Sequence, residues 1–125
     1  MTYKLSRLVS ATLVVPFKAL EKAPSTLTKG VNGACSGGVD STAYSVSLTT
    51  TVSDSVAYGA VAMRSRTHTP GSGYTERTEV MQGSGGEAAG EAVMDRSVAS
   101  ASTVPVNGTF SGTVDWAVVA VELRP

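Results

Sequence analysis

Residues 42–52, TAYSVSLTTTV, alternate strictly: Tyr44, Val46 and Leu48 fall on one face, Ser45, Ser47 and Thr49 on the other. A period of two is the signature of an extended strand with one dry side and one wet side. Similar runs recur along the chain, separated by short clusters of Gly, Ser, Pro and Asp such as SDS, HTPGSG and GSGGE. Strands at short, even spacing with turn chemistry between them predict an all-β domain built as an antiparallel β-sandwich.

Walking the chain gives roughly seven to eight strands. Residues 3–17 supply one long strand or two short ones. The stretch KGVNGACSGGVDS is too glycine-rich to stay regular throughout. Residues 56–64, VAYGAVAMR, are apolar on both faces, as a central strand should be. YTERTEVMQ is a polar strand near a sheet edge, AVMDRSVAS resumes extended structure, and Val104, Val106 and Phe110 mark another strand. In the last run, Trp116, Val118 and Ala120 share one face while Ala117, Val119, Val121 and Leu123 share the other. That predicts a strand buried on both sides, with Trp116 as a core anchor. GEAAGEAVMDR is the one helical temptation, and each of its two glycines costs a helix about 1 kcal/mol relative to alanine. With 125 residues, no repeat and no linker, residues 1–125 are expected to form a single β-sandwich domain.

The charge balance narrows the partners. Ten basic and ten acidic residues cancel, and no run of one sign offers a nucleic-acid groove or an anionic membrane surface. No segment reaches the apolar length of a membrane span. The N-terminal MTYKLSRLVSATLVVPF has basic residues before an apolar stretch, but Ser10, Thr12 and Pro16 interrupt it. A strand is the better reading than a signal peptide. Cys35 is the only cysteine, so no intrachain disulfide forms, and a buried or half-buried structural thiol is expected. His68 is the only histidine, which excludes a multi-histidine metal site and makes it obligatory in any histidine-dependent nucleophilic scheme.

Several stretches tempt a chemical reading. Ser36, Gly37, Gly38, Val39, Asp40 and Ser41 resemble the S-G-G-x-D-S phosphate loop of the ATP pyrophosphatases. That loop works between a buried parallel strand and a helix whose N-terminus faces the anion. Here LTKGVNGAC precedes it and the alternating strand follows, so a turn is expected. In GSGGEAAGE the G-x-G-x-x-G spacing fails at Ala88, leaving a loop that needs positive φ. His68 with Asp54, Glu76 or Ser72 makes a catalytic set only on paper, and a surface histidine in a turn is expected. Glu76, Glu79, Glu87, Glu91 and Asp95 lack the spacing of a calcium loop and are balanced by Arg64, Arg66, Arg77 and Arg96. Asn107-Gly-Thr is a glycosylation sequon placed in or beside a strand. Tyr44, Tyr58 and Trp116 are core-directed by alternation, which leaves only Tyr3 and Tyr74 free to stack on a sugar. No catalytic, cofactor-binding or metal-binding residue is assigned, and no cofactor is expected.

The second half carries a more specific pattern. GYTERTEV, then a Gly/Ala-rich loop, then TVPVNGTFSGTVDWAVVAVELRP resembles a β-sandwich module of bacterial and phage surface proteins. The matching positions are Gly73, Thr75, Glu76, Arg77, Trp116, Ala117, Ala120, Val121, Leu123 and Pro125. The resemblance implies a jelly-roll-like sandwich displayed on a surface and carries no catalytic residue. The leading expectation is a non-enzymatic phage virion component, decorating a capsid or attached to a tail or fibre at the virion surface. A chain that starts at Met1 without a clear export signal or a disulfide suits a protein that reaches the outside by assembly. Its expected partners are itself, as a homo-oligomer, and a capsid or tail protein. The alternative is a carbohydrate-binding or adhesive module of a secreted bacterial protein at the cell surface.

Overall fold

The computed structural model describes residues 30–125. The strands expected within residues 3–17, and Tyr3, lie outside the described residues. Eight strands follow in order: β1 (Val31–Cys35), β2 (Ser41–Thr49), β3 (Ser55–Arg64), β4 (His68–Pro70), β5 (Thr75–Gln82), β6 (Ala89–Val98), β7 (Thr103–Val114) and β8 (Trp116–Leu123). Their one helical interruption is a single 3-10 turn, Gly85–Glu87.

The pairing is nested. The first strand pairs with the last, β2 with β7, and β3 with β6, all antiparallel. Folding this nest over adds β8 beside β3 and β4 beside β7. The result is two packed sheets, a five-stranded one in the order β1-β8-β3-β6-β5 and a three-stranded one in the order β2-β7-β4. The all-β, sandwich-like architecture expected from alternation is what the chain adopts. Strand β3 is central, as its apolar faces foretold, and β5 is an edge strand, as its polar sequence foretold.

Alternation decides what enters the space between the sheets. From the three-stranded sheet come Tyr44, Val46, Leu48, Val104, Val106 and Phe110, and from the five-stranded sheet Ala57, Val61, Met63, Ala92, Met94, Val118 and Ala120. The sheets approach closely at Gly59, where an added Cβ would stand 2.7 Å from Val106 Cγ1. Leu48 and Val106 are fully enclosed. Strand β5 bulges between Glu76 and Thr78 against β6, a device that bends an edge strand and blunts it against further pairing.

The SGGVDS stretch is a turn. Gly37 and Gly38 adopt φ of 66° and 83°, and the chain passes from β1 directly into β2 with no helix. Several expectations need correction. His68 is not in a surface turn but in β4, and it is buried. Cys35 is exposed at the end of β1, because its side of that strand faces away from the core. Tyr74 is not free: it is buried, and its hydroxyl donates to Pro105 O at 2.9 Å. Tyr58 sits on the outer face of the five-stranded sheet, although it too is buried. Strand β8 is central in its sheet, yet its second apolar face lies outward and Val119 is 55% exposed.

Close packing around Leu48 has a measurable consequence. Leu48→Ala is expected to cost about 2–5 kcal/mol, lowering the urea midpoint by roughly 2 M or more at an m-value near 1 kcal/mol/M. A loss under about 1 kcal/mol would mean that the two sheets collapse onto the gap and are not packed there.

Candidate functional site

His68 joins a phenol, an imidazole and two carboxylates at one place. It stands on β4, an edge of the three-stranded sheet, facing inward toward β5, an edge of the five-stranded sheet. Its ring is fully enclosed, with Nδ1 2.5 Å from Glu76 Oε2 and Nε2 2.9 Å from the Tyr44 hydroxyl. A carboxylate accepts only, so Nδ1 carries the proton shared with Glu76, and the Tyr44 hydroxyl lies between Nε2 and Met94 Sδ, 3.7 Å away. The backbone N–H of His68 donates to Glu79 Oε1 at 3.0 Å. Glu76 and Glu79 both project from the inward side of β5, so one edge strand supplies both acceptors. Tyr44, Phe110 and Trp116 surround the ring system, with Tyr44 5.7 Å from His68 and 5.5 Å from Phe110 between centroids.

This Tyr-His-Glu chain has the outline of a proton relay, with Tyr44 buried at one end and the Glu76 side chain partly exposed at the other. Burial, reinforced by Tyr74 and Glu76, pushes the Tyr44 phenol well above its ordinary value, so it stays protonated and is a weak nucleophile. Among the described residues, the Tyr44 hydroxyl is the one hydroxyl or thiol hydrogen-bonded to Nε2. Of the groups that sequence reading set beside His68, Glu76 is brought into contact. Asp54 lies in the β2–β3 turn with φ of 56°, and Ser72 lies in the turn before β5.

Above Tyr44, the three-stranded sheet carries an open depression of about 490 Å³. Ala43, Ser45, Thr69, Pro70, Asn107 and Thr109 line it, with Trp116 at its side. Its surface is mostly apolar, with the hydroxyls of Ser45, Thr69 and Thr109 and the Asn107 amide among its lining and no carboxylate. The Trp116 indole N–H donates to Ser41 Oγ at 2.7 Å, holding the ring there. Asn107 of the sequon stands within β7 and forms part of this wall.

A second buried carboxylate escaped sequence reading. Glu122 is fully enclosed, in register with Val118 and Ala120 on the inner face of β8. Its Oε1 accepts from the Thr51 and Val52 N–H groups at 2.7 and 3.2 Å, and Oε2 from the Thr51 hydroxyl at 2.8 Å and Arg124 Nε at 3.4 Å. Burial alone would raise this carboxyl. The donors of Thr51, the Val52 N–H and the Arg124 charge outweigh burial and hold it below the usual 4.5. The signal was present in the alternation, where Glu122 falls on the face of Trp116, Val118 and Ala120.

The remaining acids scatter. Asp95 accepts two hydrogen bonds from Arg77, at 2.7 and 2.8 Å, and Asp115 lies 3.9 Å from Arg64. Glu87 sits in the 3-10 turn, while Glu91 is buried on the outer side of the five-stranded sheet. Among the described residues no three of His, Cys, Asp and Glu gather to hold a metal ion, and no helix is long and apolar enough to cross a membrane. Comparison with protein-family models, with curated proteins and with solved structures returns no match to this chain.

Two substitutions test these assignments. His68→Ala leaves the Tyr44 hydroxyl only the Met94 sulfur as a partner and frees Glu76, and is expected to cost roughly 2–3 kcal/mol in urea unfolding. A stability equal to wild type would show that the ring is not a buried fastener. Glu122 has a folded pKa below its unfolded one, so its contribution is full above the unfolded value and is lost as pH falls through the folded value. Wild-type stability should therefore decline on acidification below about pH 4.5, and Glu122→Gln should flatten that limb. At pH 7 the same change is expected to cost about 1.5–3 kcal/mol. An unchanged acid limb in the variant would assign the decline to other carboxylates.

Proposed function

We propose that this chain is a non-enzymatic surface module with a jelly-roll-like fold, acting as a component of a phage virion, on a capsid, tail or fibre. The observation that carries the reading is the nested order of the eight strands, β1 with β8, β2 with β7 and β3 with β6. That wrapping is the plan of jelly rolls, an architecture used by viral capsid and lectin domains. A fold is shared by many functions, so the site must agree with it. Two features support the reading: the lone histidine makes contacts across the two sheets, and the buried carboxylate Glu122 holds a turn. Work by contact suits such a molecule better than turnover. Val39 in the β1–β2 turn and Met81 near the end of β5 are 72% and 41% exposed, apolar side chains suited to another protein surface.

The depression beside Trp116 favours the second reading, a carbohydrate-binding module, since it joins an aromatic ring to hydroxyls and an amide. Trp116 is the only tryptophan and reports on this wall directly. The two readings separate in one pair of measurements. Light scattering across concentration is expected to show a stable trimer or larger assembly, with Trp116 fluorescence unmoved by titration with oligosaccharides. A strict monomer with a saturable Trp116 response would overturn the virion reading in favour of glycan binding.

A further inference from the structure

The outer face of the five-stranded sheet is unlike the surface of an ordinary soluble domain. Alternation and register place Val31, Val119, Val121, Ala60 and Val93 there, running from β1 across β8 and β3 to β6. Two polar groups sit among them. Tyr58 is 7% exposed and its hydroxyl has no hydrogen-bond partner, and Glu91 is 5% exposed with no hydrogen-bond or ion-pair partner among the described residues. A buried carboxylate without a cation and a buried phenol without an acceptor are each costly. At the β1 side the face is open, with Val31 62% and Val119 55% exposed.

The composition of the chain indicates what complements this face. Residues 1–29 contain Lys4, Arg7, Lys18, Lys22 and Lys29 against Glu21 alone, a net charge of +4. The whole chain is neutral, so residues 30–125 carry −4. Every lysine of the protein lies in the first 29 residues, and every carboxylate side chain except Glu21 lies after them. The same segment holds the apolar run Leu13, Val14, Val15 and Phe17, with Lys18 directly after it. It joins the sheet at the right place, because Gly30 accepts from Glu122 N–H at 2.7 Å, at the head of edge strand β1. From β1 to β6 is three strand spacings, about 14 Å. The twelve residues from Lys18 to Gly30 reach up to about 40 Å.

We propose that the outer face of the five-stranded sheet is the docking surface for residues 1–29 of the same chain, with the run 13–17 on its valines and Lys18 paired with Glu91. Tethering beside the face gives the segment an effective concentration that a segment from another molecule does not match. The amine supplies the cation that Glu91 lacks, and polar groups of the incoming chain can meet the Tyr58 hydroxyl. This inference stands apart from the functional reading above, since it concerns how the chain covers itself.

Carbodiimide coupling, which joins an amine to a carboxylate with no spacer, tests it on the full chain. An equal mixture of unlabelled and 15N-labelled protein is coupled, digested and read by mass spectrometry. The expected product links Lys18 to Glu91, with both peptides carrying the same isotope, and it vanishes in Glu91→Gln while the circular dichroism spectrum stays unchanged. Mixed-isotope links alone would mean that the segment docks on a second molecule and would overturn the assignment. So would Lys18 coupled only to other carboxylates such as Asp40, Asp54 or Asp115, or no Lys18–Glu91 product at all.

Discussion

Two stacked sheets leave two seams, where an edge of one lies over an edge of the other, and the structure depends on how these seams are fastened. Backbone hydrogen bonds do not cross them, because each seam joins strands of different sheets. Side chains do the joining. At one seam Glu76 and Glu79 of β5 hold the ring and the backbone N–H of His68 on β4. At the other, Asn32 of β1 donates to Ser47 O of β2 at 2.7 Å, and Glu122 of β8 ties down the turn that follows β2. Edge strands fastened in this way no longer invite pairing by another chain.

The seams explain why the polar chemistry of this protein is internal. A carboxylate or an imidazole removed from water costs stability unless each of its atoms is paired. Both nitrogens of His68 and both oxygens of Glu122 are engaged, so these groups contribute orientation and register to the fold. Each nitrogen of the His68 ring stands within hydrogen-bond distance of a partner, Glu76 on one side and the Tyr44 hydroxyl on the other. The outer surfaces differ, with a depression edged by hydroxyls and the Asn107 amide on the three-stranded sheet and an apolar face on the five-stranded sheet.

Much of the architecture was legible because alternation is a local signal. Strand β2 announced its buried face at Tyr44, Val46 and Leu48, and β3 announced a central position by being apolar on both sides. The turn reading of Ser36–Gly37–Gly38 followed from the absence of a helix pattern after it. What a local signal cannot carry is which element lies across the gap. His68 sits in RTHTPGSG, a string rich in turn residues, and only its pairing with the distant β7 makes three residues of it a strand, with His68 turned inward and buried. Tyr74 looked free for the same reason, since its partner Pro105 is thirty-one positions away. The outward face of β8 misled in the opposite direction: Ala117, Val119 and Val121 read as interior because a single strand does not reveal which layer covers it.

Side chains across the seams make the two sheets one cooperative unit. Native-state hydrogen exchange at the His68 amide tests it most directly, because that N–H has no backbone partner and is bonded to the Glu79 carboxylate of the opposite sheet. The expected result is exchange with the same free energy as the Val61 and Val118 amides in the centre of the five-stranded sheet, the free energy of global unfolding. Exchange of the His68 amide at the rate of a frayed edge, while Val61 and Val118 stay protected, would show that the seam opens independently and would contradict the account.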